Sequence, residues 1–172
     1  MYGGCEQYGH YLYSFFQNNI PNPVAYISFG ISYKRIKDHF KNMNISNELL
    51  NSFSQGFTSE ISSVRLSSFQ SFCPLIEIFY QSNEDDFNFL ELFVLLLKII
   101  QCEEENDVLT AEIKMLSKLL KFYSSKIHHE NISDIVKILD FLIENSEEQT
   151  VIIHTIQCYK YIGLSSNDIE FI

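Results

Sequence analysis

Apolar side chains fall along this chain at helical intervals, and short polar clusters interrupt them. After Ser133, the residues Ile135, Ile138, Leu139 and Leu142 occupy positions i, i+3, i+4 and i+7, the stripe of an amphipathic helix that Ser133 would cap. Ile113, Leu116, Leu120 and Tyr123 form such a stripe upstream, and Ile152, Ile156 and Tyr159 form one downstream that Gly163 should close. Phe87 to Gln101 is apolar on every side, which predicts a helix covered from several directions and the most buried element of the fold. Ile61, Val64, Phe69 and Phe72 mark another helix, capped by Thr58 or Ser59, which Pro74 should interrupt before a short restart through Tyr80. Toward the N-terminus, Tyr8, Leu12, Phe15 and Phe16 suggest a weaker aromatic helix, ended by the break from Asn18 to Pro23. Ile27, Ile31, Ile36 and Phe40 share the face of the next segment, and Ser46 starts a short helix through Phe53 that Gly56 ends. No Asn-Gly or Asp-Gly pair separates alternating runs, so nothing predicts a β-hairpin, and the fold class is all-α.

Polar, acidic helix starts recur near residues 83–86, 103–107, 130–134, 146–149 and 165–168, about one helix and one loop apart. Two such intervals make about 40 residues, the length of a two-helix repeat that must stack on neighbours to bury its apolar faces. The run Ile135 to Leu142, the turn Glu144 to Gln149 and the helix to Gly163 resemble an armadillo or HEAT repeat. Cys73 to Phe79, the turn Ser82 to Asp86 and the helix to Ile100 resemble one as well. The resemblance implies an irregular armadillo-like stack of antiparallel helices, a short α-solenoid or a helical bundle. The expected organisation is one helical domain over 1–172, with irregular aromatic helices in 1–57 and repeat-like hairpins in 58–172. The implied use is a non-enzymatic scaffold or adaptor that binds a protein or peptide. The alternative is a compact all-α regulator that takes an amphipathic helix in a groove around helix 87–101.

Composition narrows the chemistry. The chain has 172 residues and a net charge of −10. Residues 1–82 sum to zero, while 83–172 carry 17 carboxylates against seven lysines. That balance disfavours binding to a phosphate backbone. Cys5, Cys73, Cys102 and Cys158 match no zinc or redox spacing and sit among apolar neighbours, so reduced thiols and a cytoplasmic location are expected. The stretch Phe87 to Ile100 is shorter than the about 20 apolar residues a membrane span needs.

No phosphate-binding glycine loop, His-Glu-x-x-His or Gly-x-Ser-x-Gly motif occurs. His128, His129 and Glu130 lie in a connection, and adjacent histidines on a helix point about 100° apart, a poor chelate. His154 and Cys158 share a helical face without a visible third ligand. No catalytic residue, metal or cofactor is therefore expected, the remaining alternative being a small all-α enzyme whose dispersed site the sequence does not mark. If successive helices run antiparallel, the turns at 103–107 and 144–149 share one edge. That edge would gather Glu103, Glu104, Glu105, Asp107, Glu144, Glu147 and Glu148, a target for a basic segment. Lys34, Arg35, Lys37 and Lys41 of another copy or of the same chain are one candidate, which makes self-association one expected mode.

Overall fold

The computed structural model describes residues 3–40, 46–81, 87–127 and 129–165, apart from the side chains of 3–8, 34, 36–40, 46, 129, 130 and 165. The described residues are all-helical, with no strand. The helices are α1 (Gly3–Asn19), α2 (Pro23–Phe40), α3 (Ser46–Phe57), α4 (Ser62–Gln81), α5 (Phe89–Ile100), α6 (Asn106–Tyr123), α7 (His129–Asn145) and α8 (Gln149–Ser165), with a 3-10 turn at Ser124–Lys126. None of them is long and apolar enough to cross a membrane. The chain divides into two compact units, Met1–Asn88 and Phe89–Ile172.

Each unit is a pair of antiparallel helical hairpins. In the first, Phe16 meets Tyr26 while Tyr13 meets Phe29, so α1 and α2 run in opposite directions. Phe57 with Phe69 and Phe53 with Phe72 do the same for α3 and α4. The second helices of the two hairpins, α2 and α4, run side by side in the same direction, from Gly30 against Ser71 to Tyr33 against Phe79. In the second unit, Phe89 stacks on Tyr123 to join α5 with α6, and Tyr159 donates a hydrogen bond to Asp140 to join α7 with α8. Thr110 beside Thr150 at 3.2 Å and the Cys158 thiol beside the Ile113 carbonyl at 3.9 Å set α6 and α8 parallel.

The first helix of each hairpin begins at residue 3, 46, 89 or 129, at intervals of 43, 43 and 40 residues. This spacing includes residues 1–57, where the apolar pattern shows no repeat. The stripes on α1 and α2 hide it. Tyr26, Phe29 and Tyr33 bury their rings on α2, while Ile27 and Ile31 of the expected isoleucine stripe are exposed. Both stripes have helical spacing, and the larger rings bury more apolar area. On α1, Tyr13 and Phe16 are buried and Phe15 is exposed.

Several expected helix ends are displaced. Asn22 accepts a hydrogen bond from the Val24 N–H at 2.9 Å and Pro23 takes the first helical position, so α2 starts where the break predicts. Pro74, however, lies inside an unbroken α4. Burial of Phe72, Leu75, Ile76 and Phe79 outweighs the about 3 kcal/mol that an internal proline costs. Gly56 and Gly163 end no helix, and no described glycine has positive φ. Gly56 instead lets α3 approach α4: a Cβ there would lie 2.7 Å from Ser68 Cβ. Ser133 lies inside α7 rather than at its cap.

The most buried helices are α4 and α6, not the segment 87–101. On α5, Leu92, Phe93, Leu96 and Ile100 face inward, while Leu90 and Val94 are exposed and Leu95 is half-buried. Its packing partner in this unit is α6, and its other flank borders a groove. An all-apolar circumference does not by itself supply neighbours on every side.

Candidate functional site

Helices α5 and α7 stand apart on one layer of the second unit, and a groove of about 610 Å³ lies between them. Val94, Leu97 and Ile100 form its α5 wall, and Ile138, Phe141 and Leu142 its α7 wall. Phe141 is 62% exposed and Val94 46%, a costly way to leave large apolar groups on a folded surface. The spacing that places them is helical: Val94, Leu97 and Gln101 recur on α5, and Asp134, Ile138 and Phe141 on α7. The inner stripe Ile135, Leu139 and Leu142 fixes α7 in the core, which turns Ile138 and Phe141 toward the groove. The first unit treats the same layer differently. There Phe16 on α1 reaches Phe53 on α3 at 5.2 Å between ring centroids, and both rings are fully buried.

The charged groups along the groove are Lys98, Asp134 and Lys137, two cations against one anion. Lys137 pairs with Asp134 at 2.9 Å, and exposed Lys98 lies on the α5 wall. The groove ends at Gln101 and Leu142, two residues before Glu103 and Glu144. The Thr150 hydroxyl donates to Glu148 Oε1 at 2.9 Å and is 3.2 Å from the Thr110 hydroxyl, tying the start of α8 to the first turns of α6. The seven carboxylates of the expected acidic edge border the start of α6 and the turn from α7 to α8.

Its seven members are not equivalent. Glu103 Oε1 accepts the N–H groups of Glu104 and Glu105 at 3.2 and 3.0 Å, which shapes the entry into α6. Glu148 receives Thr150 and donates its own N–H to Ser146 Oγ at 3.2 Å. Glu104, Glu105, Asp107, Glu144 and Glu147 are exposed. Of the basic candidates, Arg35 is exposed, while the side chains of Lys34 and Lys37 and all of Lys41 lie outside the described residues.

Among the described residues no group of three His, Cys, Asp or Glu side chains is placed to hold a metal. His128 lies outside the described residues, as do the side chains of His129 and Glu130. His154 Nδ1 pairs with Gln157 Oε1 at 3.0 Å, whereas Cys158 is fully buried toward Ile113. Burial pushes the Cys158 thiol up to about 12. Cys73, Cys102 and Cys158 form no disulfide, and the side chain of Cys5 is not described. Tyr159 is also raised to about 12, first by burial and then by its bond to Asp140.

Sequence reasoning did not single out Phe141, Val94 or Lys98 as surface features, because each belongs to an apolar run with no outward marker. It also passed over Glu112, which is wholly buried on α6. Its helical spacing with Val108, Met115 and Leu119 was the available signal. The chain matches no family model, no curated protein and no solved structure.

Proposed function

We propose that this protein is a non-enzymatic interaction scaffold of armadillo-like type, and that the groove between α5 and α7 receives a basic amphipathic helix. The observation that carries the reading is the apolar groove, with Phe141 and Val94 exposed on its two walls. An occupant with apolar residues at i, i+3 or i+4 and i+7 would cover Val94, Leu97, Ile138 and Phe141. The α7 wall runs from Asn131 to Leu142, about three helical turns, so the occupant is of similar length. Lysines or arginines at one end of it would meet Glu104, Glu144 and Glu147. The seven carboxylates beyond the end of the groove outnumber its lining of two lysines and one aspartate, so they set the sign of the partner, acting mainly on association rate and specificity. Hairpin intervals near 40 residues support the armadillo-like reading.

The test is fluorescence anisotropy with two labelled helical peptides that share one apolar face and differ in Lys or Glu at one end. The basic peptide should bind and the acidic one should not. Phe141→Asp should weaken binding by about 30-fold, as loss of a central apolar anchor of about 2 kcal/mol implies. Changing Glu103, Glu104, Glu147 and Glu148 to Gln should slow association and flatten its salt dependence. Equal binding by wild type and Phe141→Asp would refute the assignment.

A further inference from the structure

The groove between α5 and α7 has a direction. Phe89 at the start of α5 stacks on Tyr123 at the end of α6, so these helices run antiparallel. The short turn 146–148 and the bond from Tyr159 to Asp140 make α7 and α8 antiparallel as well. Since α6 and α8 are parallel, α5 and α7 are parallel too, and their C-termini lie toward the same mouth of the groove. Gln101 and Leu142 end the lining there, two residues before Glu103 and Glu144. Each helix C-terminus adds the equivalent of about half a negative charge. About one turn inward the sign changes, because exposed Lys98 lies on the α5 wall between Leu97 and Gln101. Across the groove, Lys137 is paired with Asp134 at 2.9 Å.

Resting on the groove reading above, we infer that the occupant lies antiparallel to α5 and α7. Its N-terminal end sits at the Gln101–Leu142 mouth and carries basic residues, and a carboxylate follows one to two turns further in. Charge alone does not choose the direction, since lysines at either end of a helix can be brought to Glu103 and Glu144. The dipole does choose it. An antiparallel occupant presents its positive N-terminus to two C-termini and the carboxylates beyond them, whereas a parallel one gathers three C-termini at one mouth. A nearby carboxylate favours a helix N-terminus and disfavours a C-terminus by similar amounts, so the two directions should differ by about 10-fold in Kd. Lys98 then fixes the second charge, because the occupant's carboxylate meets it while the apolar face covers Val94, Leu97, Ile138 and Phe141. Read from its own N-terminus, the partner is a helix with basic residues first, an acidic residue next and an apolar stripe alongside.

The test uses the full chain and two labelled peptides of about three helical turns with the same apolar face. One carries two lysines at its N-terminal end and a glutamate one and a half turns in. The other carries two lysines at its C-terminal end and a glutamate at the same distance from them. Lysines at a helix N-terminus lower the helix content of a free peptide, so both peptides are stapled and have blocked ends. Fluorescence anisotropy should show the first binding about 10-fold more tightly. Lys98→Gln should weaken it by about 3-fold, and should leave unchanged a version whose glutamate is replaced by glutamine. Exposed Cys102 follows Gln101 at the mouth, while Cys73 and Cys158 are buried. In a Cys5→Ser chain, a quencher on Cys102 should therefore dim a dye at the N-terminus of the bound first peptide more than a dye at its C-terminus. Equal affinities, or stronger quenching at the C-terminus, overturn the direction and leave the groove standing. Loss of the Lys98 coupling overturns the placement of the carboxylate. Failure of both peptides to bind wild type, or equal binding to Phe141→Asp, overturns the groove reading and this inference with it.

Discussion

Replacing Gly56 with Ala tests whether helix spacing in the first unit is set by backbone approach. On helix propensity alone the change should help, since Gly within a helix costs about 1 kcal/mol relative to Ala. The structure reverses that expectation. A Cβ at Gly56 would lie 2.7 Å from Ser68 Cβ, 2.7 Å from Tyr26 Cζ and 2.8 Å from the Tyr26 hydroxyl oxygen. Carbon atoms prefer about 3.5–4.0 Å, so the overlap approaches 1 Å on two sides. Neither neighbour withdraws freely. Tyr26 is fully buried and donates its hydroxyl to the Ser52 carbonyl at 3.3 Å, and Ser68 donates to the Arg65 carbonyl at 2.7 Å. Overpacking of this kind costs about 1–3 kcal/mol and occasionally more, so the net loss should be about 1–2 kcal/mol. In a unit of this size each kcal/mol shifts Tm by about 4–8 °C. Gly163→Ala is the control, because Gly163 is exposed and a Cβ there meets nothing within 4 Å. Thermal melts by circular dichroism should show Gly56→Ala below wild type and Gly163→Ala at or above it. Ser68→Gly should recover part of the loss in the double variant, with a coupling of about 1 kcal/mol. If Gly56→Ala melts as high as Gly163→Ala, the close approach of α3 to α4 is refuted.

Helix α5 should show its one-sided burial: Leu96→Asp should unfold or aggregate the protein, whereas Val94→Asp should move Tm by only a few degrees. Equal melting of the two would place Leu96 at the surface. Native thiol labelling should modify exposed Cys102 first, with buried Cys73 and Cys158 reacting only after denaturation, and comparable rates for Cys102 and Cys158 would contradict the packing. Tyr13, Tyr26 and Tyr159 are all raised from 10 to about 12, chiefly by burial. Since the folded values exceed the unfolded ones, their contribution is complete below about pH 10 and is lost as pH rises through about 12. Denaturant melts should therefore weaken across that window, and an unchanged midpoint between pH 9.5 and 11.5 would count against the buried phenols.

The helical class was legible because stripes such as Ile113, Leu116, Leu120 and Tyr123 leave no room for a two-residue period, and all four are buried on α6. Which stripe turns inward was less legible wherever a helix carries two. On α8 the pattern favours Ile152, Ile156 and Tyr159, yet Val151, Thr155, Cys158 and Ile162 are buried and Ile156 is exposed. Periodicity reports a period and leaves the phase open when apolar residues surround the axis. Glycine was misread for a related reason. The same residue that ends helices by adopting positive φ also admits a neighbouring helix, and only the facing Ser68 or Ser71 distinguishes the two roles. The antiparallel hairpin order was readable from the short polar turns between helices. The groove was not, since it depends on how far α5 and α7 separate.

The ring contacts of the first unit have a spectroscopic consequence. The chain contains no Trp, so Tyr and Phe dominate its near-ultraviolet signal. Phe16, Tyr26, Phe29, Phe53, Phe57 and Phe72 form a continuous series of centroid contacts at 4.5–6.3 Å within residues 1–88. Residues 89–172 hold three of the ten tyrosines, Tyr123, Tyr159 and Tyr161, and there Phe89 stacks on Tyr123. Near-ultraviolet dichroism therefore reads mainly the first unit, while the amide band reads helices in both. Recorded on one sample, the two wavelengths act as separate clocks for the two halves of the chain, with no label attached.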